Sequence, residues 1–147
     1  MAREAPLQNY ITAFENLSAE NLEHTLAPLL ADTVFFKDPF NAVSGKKATL
    51  HIFEHMFSTV DAPKFSVHAA AQDMQNQGIG LLYWQFHFRL PSNSSSQKID
   101  GMSRITFNTL GLVTEHIDYW DAGEQVYAKV PLLGWGIRQV MKRLSAT

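Results

Sequence analysis

An α+β fold, helices first and a long, mainly antiparallel sheet afterwards, is predicted by three observations. The first 60 residues carry apolar side chains at helical spacing. From residue 64 to residue 121 the period changes to two, in four runs parted by turn material. The segment 124–144 then returns to a helical pattern. Helices grouped ahead of strands give this class rather than alternating βαβ units, and a strongly bent sheet wrapped around such helices leaves a cavity closed at one end.

The elements follow in order. From Pro6, the residues Leu7, Tyr10, Ile11, Phe14 and Leu17 mark one face of a first amphipathic helix. Ser18 is placed to cap a second, with Glu20 in its first turn and a stripe of Leu22, Leu26, Leu29 and Leu30. Pro28 removes a backbone donor and should kink or end that helix. A short strand over 33–38 stops at Pro39. Ser44-Gly45 punctuates the chain before a third helix with Thr49, Ile52, Phe53, Met56, Phe57 and Val60 inside and His51, Glu54, His55 and Ser58 outside. Strands are expected over 64–73, 79–90, 98–107 and 112–121, separated by Asn76-Gln77-Gly78, by the serine-rich 91–96 and by 108–111. Three successive hairpins make a four-stranded meander, which the strand at 33–38 can join at one edge. The tail is helical with a break at Pro131 and a broad apolar set that includes Tyr127, Val130, Trp135, Val140 and Met141.

Composition narrows the class of function. A chain of 147 residues, 46% hydrophobic and 18% charged, is long enough for a core of its own and is expected to form one domain over 1–147. Its net charge of -2 carries no basic stripe of the kind nucleic acid requires. There is no cysteine, so thiolate chemistry and cysteine metal sites are excluded. With neither an apolar leader nor a run of membrane length, a cytoplasmic protein that does not engage the membrane is expected.

The last strand carries the chemistry. Alternation along 112–121 puts His116, Asp118 and Trp120 on one face, an imidazole, a carboxylate and an indole together. Facing a cavity, they make a reactive wall; facing water, a polar edge. Asp38, set between Phe35-Phe36-Lys37 and Pro39-Phe40, is the other carboxylate with apolar neighbours, where desolvation would favour a general base. Its simpler role is to bond nearby backbone amides at the strand end. Trp84, Phe86 and Phe88 alternate with Gln85, His87 and Arg89 and should pack under helices or a partner sheet. His51-Ile52-Phe53-Glu54-His55 matches the inverted zinc-protease pattern; on the solvated side of a short helix, with no third acidic ligand indicated, it reads as an ordinary polar face, and no metal is expected.

Asp38-Pro39-Phe40 closing the first strand, Ser44-Gly45 opening the third helix and Asp118-Tyr119-Trp120-Asp121 closing the last strand give a pattern that resembles the nuclear transport factor 2-like superfamily. Within it the chain is similar to SnoaL-like and ketosteroid-isomerase-like proteins, along essentially its whole length. The resemblance implies a cone-shaped half-barrel with an apolar pocket between sheet and helices, no cofactor, and a homodimer through the outer sheet face. It also implies a carry-over of residues. Asp38 stands at the isomerases' general base. Their two oxyanion donors fall on Phe14 and Ser103 and are not kept, while Tyr10 lies one turn before Phe14 on the same face. Asp118 stands at the first catalytic aspartate of limonene-type epoxide hydrolases, whose partner positions fall near Gln85 and His87, which would then face inward. The expected function is therefore binding of a small apolar ligand. Asp38, Asp118 and His116 are the acid/base candidates for an isomerase, cyclase or dehydratase reaction, and Tyr10, Phe14, Gln85, His87, Ser103 and Trp120 the ligand-binding ones. The alternative is a binding or assembly module of the same fold without chemistry.

Overall fold

The computed structural model describes residues 4–91, 94–126 and 131–145. Helix α1 (Glu4–Glu15) buries Leu7, Tyr10, Ile11 and Phe14, and Leu17 follows them into the core. Each large apolar side chain withdrawn from water contributes about 1.5–3 kcal/mol, which outweighs the modest propensity of a twelve-residue helix.

The second helix is shorter than its leucine spacing suggests. Ser18 and Asn21 bond to each other reciprocally, Ser18 N to Asn21 Oδ1 at 2.8 Å and Asn21 N to Ser18 Oγ at 3.2 Å, so the chain turns before helix α2 (Leu22–Thr25) begins. Pro28 then lies in a 3-10 turn, Ala27–Leu29, as its missing donor requires. Leu22, Leu26 and Leu30 are buried as expected.

Strand β1 (Leu30–Lys37) turns back into a three-residue strand β2 (Ala42–Ser44) that the sequence pattern did not reveal. Gly45 links it to helix α3 (Lys46–Thr59) with φ of +102°, a region that side chains rarely enter. Its N–H reaches Val34 O at 2.7 Å and its carbonyl accepts from Thr49 Oγ1 at 2.9 Å. Thr49, Phe53 and Phe57 form the buried stripe of α3.

The meander comprises β3 (Asp61–Gln72), β4 (Ile79–Arg89), β5 (Ser96–Phe107) and β6 (Val113–Tyr119). The six strands lie in the order β2-β1-β6-β5-β4-β3. All pairs are antiparallel except β1 with β6, which run parallel. Pro63 is accommodated because β3 is an edge strand and its register with β4 is interrupted between Asp61 and Lys64. A second shift, between Val67 and Ala69, bends the same strand. The curved sheet closes over α1 and α3 as a cone, with Phe14, Phe36, Phe53, Phe65 and Ile105 in one core.

Beyond β6 come α4 (Ala122–Gln125) and α5 (Pro131–Leu144), the latter exposing Trp135, Val140 and Met141. Tyr127 and Val130, assigned to the tail helix above, lie outside the described residues. No described helix is long and apolar enough to cross a membrane.

Candidate functional site

The register of three strands brings the site together. Ser103 on β5 pairs with both Leu82 on β4 and Asp118 on β6, while Ile105 pairs with His116. All of them point into the cone, so His116, Asp118 and Trp120 face inward, and His116 and Ser103 are buried.

Two hydrogen-bonded chains meet at one carboxylate oxygen. Tyr10 Oη lies 2.7 Å from His116 Nδ1, and His116 Nε2 lies 2.6 Å from Asp118 Oδ1. From the other side, Trp84 Nε1 donates to Ser103 Oγ at 2.7 Å and Ser103 Oγ donates to Asp118 Oδ1 at 2.5 Å. Helix α1 supplies Tyr10 because Tyr10 and Phe14 share its buried face, one turn apart, with ring centroids 4.9 Å from each other. Phe14 and Phe36 pack on the imidazole at 5.5 and 5.1 Å. Burial, reinforced by the charge on Asp118, pushes the Tyr10 phenol well above the usual tyrosine range.

Above this polar floor is a cavity of about 460 Å³, lined by Phe65, Trp84, Phe86, Phe88, Ile99 and Trp120, with Asp38, Asn41 and Asp118 as its polar wall. A second, narrow cavity of about 20 Å³ lies between Phe14, Leu82, Ser103, His116 and Asp118 and shares Asp118 and Trp84 with the first. His51, His55, Met56, Thr59 and Val126 also line the main cavity. The volume suits a molecule of a few fused rings, and the walls are chiefly aromatic. A larger and more open groove, about 1120 Å³, lies between the α2 segment and the start of α3; of the candidate residues singled out above it touches only His51 and Glu54.

Asp38 and Asp118 thus line one cavity. Asp38 is only 7% exposed, and it lines the cavity while bonding the backbone amides that follow it. Its Oδ1 accepts from Phe40 N at 2.8 Å, Asn41 N at 2.6 Å and Asn41 Nδ2 at 3.1 Å, closing the β1–β2 turn. Asp118 differs: its Oδ2 has no hydrogen-bond partner among the described residues.

Three placements differ from expectation. Gln85 and His87 do not face the cavity; they lie on the outer face of β4, where Gln85 Nε2 bonds Asp100 Oδ1 at 2.9 Å and His87 is exposed. Strand parity allows only one of the two sets inside, and burying Trp84 and Phe86 is worth more than burying an amide and an imidazole. On that outer face the Gln85 and Tyr83 hydrogen bonds hold the Asp100 carboxyl below its usual range. Tyr10, 1% exposed, lies beneath His116 and lines neither of these two cavities. His51 and His55, though exposed on α3, line the cavity; His51 Nδ1 is 3.9 Å from Glu54, and no group of three His, Asp or Glu among the described residues is arranged to hold a metal ion.

Gly101 was missed. It faces Trp84 across β4 and β5, and a Cβ there would meet the indole Cζ2 at 2.3 Å. The bare backbone leaves the room the ring occupies while its Nε1 reaches Ser103. A lone glycine inside a strand signals such an approach, and Asp100-Gly101-Met102 carried that signal.

The model of the SnoaL-like domain family matches residues 7–116. No curated protein matches the chain. An LEH-like epoxide hydrolase from Mycobacterium tuberculosis superposes with a TM-score of 0.66 at 16% identity, covering 95% of this chain and 96% of that one. A Pseudomonas putida protein assigned as a polyketide cyclase gives 0.69 at 14%, covering 86% and 98%. A Mycobacterium tuberculosis protein solved with estradiol-17β-hemisuccinate gives 0.64 at 16%, covering 80% and 92%. At these identities the likeness establishes the fold.

Proposed function

Since the chain belongs to the SnoaL-like domain family, we propose that its cone binds a small, ring-containing apolar molecule and moves a proton on it, with Asp118 as the base. The observation that carries this reading is the position of Asp118, at the junction between an aromatic cavity and a buried polar chain, with Oδ2 unoccupied. In the reaction, an acidic C–H or O–H bond of the ligand breaks, its electron pair stays on the ligand, and the proton forms a bond to Oδ2. Return of that proton at another atom completes an isomerisation, and return with loss of water a dehydration. Asp38 is the second carboxylate of the wall and orients the ligand's polar end. Trp120, held edge-on to Phe40 at 5.3 Å, forms the wall beside them. No group other than these side chains is called for.

The second reading, a ligand-binding module without chemistry, is favoured by one fact: Asp38 already has its turn donors, and His116 and Ser103 already bond to Asp118. Asp118→Asn separates the two readings. With 2-naphthol and estradiol-17β-hemisuccinate as probes, both readings expect quenching of Trp84 and Trp120 fluorescence in parent and variant. On any substrate the protein turns over, the catalytic reading expects Asp118→Asn to lose about 10²–10⁴-fold in rate while probe affinity changes little. A variant that turns that substrate over like the parent removes Asp118 as the base.

We further infer a homodimer through the outer sheet face. There Met102 pairs with Tyr83 on one side and Tyr119 on the other, forming an apolar row across three strands.

A further inference from the structure

We propose that Tyr10 is the positioning residue of this site: its phenol holds His116 as the neutral Nε2–H tautomer, so that Asp118 alone meets the ligand, through Oδ2. The inference rests on the reading of Asp118 as the base and says how that base is prepared.

It follows from the direction of four hydrogen bonds. An indole N–H can only donate, so Trp84 fixes Ser103 Oγ as its acceptor. The Ser103 hydrogen must then go elsewhere, and the acceptor within reach is Asp118 Oδ1. Asp118 Oδ1 therefore accepts from Ser103, which leaves open whether Oδ1 or His116 Nε2 holds the hydrogen between them. His116 Nε2 lies 2.6 Å from the same oxygen, and the other side of the ring decides which of the two donates. What remains is the hydrogen between Tyr10 and His116 Nδ1. Were Nδ1 protonated, Tyr10 Oη would accept, and its own hydrogen would be left in the core without a partner, because Tyr10 makes no other hydrogen bond among the described residues. An unpaired buried donor costs about 1–3 kcal/mol. Tyr10 therefore donates and Nδ1 accepts, so the ring carries its hydrogen on Nε2 and donates it to Asp118 Oδ1. The buried phenol, kept well above the usual tyrosine range, holds its hydrogen for this purpose.

Three consequences distinguish this from mere packing. Every hydrogen in the chain points toward Asp118, along two independent branches that converge on one oxygen. Both ring nitrogens of His116 are committed, so the imidazole is a positioning group and not the base. Asp118 faces no imidazolium, so its charge is not cancelled by its neighbour and Oδ2 is available to a ligand that brings a hydrogen, such as a hydroxyl or an enolisable C–H.

The test uses the intact chain labelled with ¹⁵N at histidine. Two-bond ¹H–¹⁵N correlation is expected to show His116 with a pyrrole-like Nε2 and a pyridine-like, unprotonated Nδ1, widely separated in shift. Tyr10→Phe is expected to bring the two nitrogens together, since no donor then keeps Nδ1 unprotonated. Ser103→Ala, which cuts the other branch, is expected to leave them apart. A parent spectrum with a proton on Nδ1, alone or together with Nε2, overturns the proposal whatever the variants do. So does a Tyr10→Phe spectrum that matches the parent, or a Ser103→Ala spectrum that loses the separation. The underlying reading fails in a different way. If 2-naphthol leaves the Trp84 and Trp120 indole resonances unmoved, the cavity does not take such ligands, while the tautomer assignment stands.

Discussion

Gly101 and Tyr10 show how single residues set the site. At Gly101 the absent Cβ leaves the space the Trp84 indole fills. Gly101→Ala forces a buried, rigid ring to move, an overpacking cost of about 1–3 kcal/mol, and withdraws Nε1 from Ser103. Urea denaturation should show a lower midpoint, with a red-shifted tryptophan emission as the ring loses its seat. An unchanged midpoint and spectrum would mean that the ring is not held there. Tyr10 adds a dependence on alkaline pH. An unfolded tyrosine ionises near pH 10, whereas the folded Tyr10 keeps its proton above that because it is buried and faces Asp118. Below about pH 10 both states are protonated and this part of the stability is complete. As pH rises from about 10 toward the folded value, the unfolded chain releases a proton that the folded one retains, and stability falls by up to ~1.4 kcal/mol per pH unit. Tyr10→Phe lacks that component, so its stability curve between about pH 10 and 11 should be shallower than the parent's. Equal slopes in chemical denaturation would contradict the burial of the phenol.

Elements were legible where one periodicity acted alone. The stripe Leu7, Tyr10, Ile11, Phe14 is buried as its spacing implies, and His116, Asp118 and Trp120 share one face as alternation implies, a face that turns inward. What was not legible depended on contacts distant in sequence. The parallel pairing of β1 with β6 joins segments about 80 residues apart, and β2 has only three residues, too few to show a period. The choice of inner face on β4 was readable from Trp84, Phe86 and Phe88, whose apolar bulk decides it; alignment to hydrolase partner positions pointed the other way and was one residue out of phase. The partners of Asp118 were half visible. Ser103 and Tyr10 stood out as candidate residues, but their convergence on one oxygen depends on the register of β4, β5 and β6, which the turn signals alone did not give. The turn role of Asp38, by contrast, was evident in Asp38-Pro39-Phe40-Asn41, because an aspartate ahead of a turn bonds the amides that follow it.

At the scale of the whole molecule, a bent sheet has two faces with different duties. The concave one is filled by α1, α3 and the cavity. The convex one carries Tyr83, Met102 and Tyr119 in a row, the last two 50% and 55% exposed, and its charged neighbours pair within the sheet, as Arg104 does with Glu115 at 3.0 Å. A flat apolar row of this kind, flanked by neutralised charges, suits association with its own copy about a two-fold axis, because a two-fold interface is self-complementary. Met102 sits at the centre of the row, so Met102→Glu would bury two unpaired carboxylates, one from each copy, at a cost of several kcal/mol. Sedimentation velocity of the parent should then show a dimer, and that of Met102→Glu a monomer with unchanged far-ultraviolet circular dichroism. Because the row lies on the opposite side of the sheet from Asp118, the monomeric variant should quench with 2-naphthol as the parent does. A parent that sediments as a monomer at its highest soluble concentration would leave the convex face without this role and the cavity unaffected.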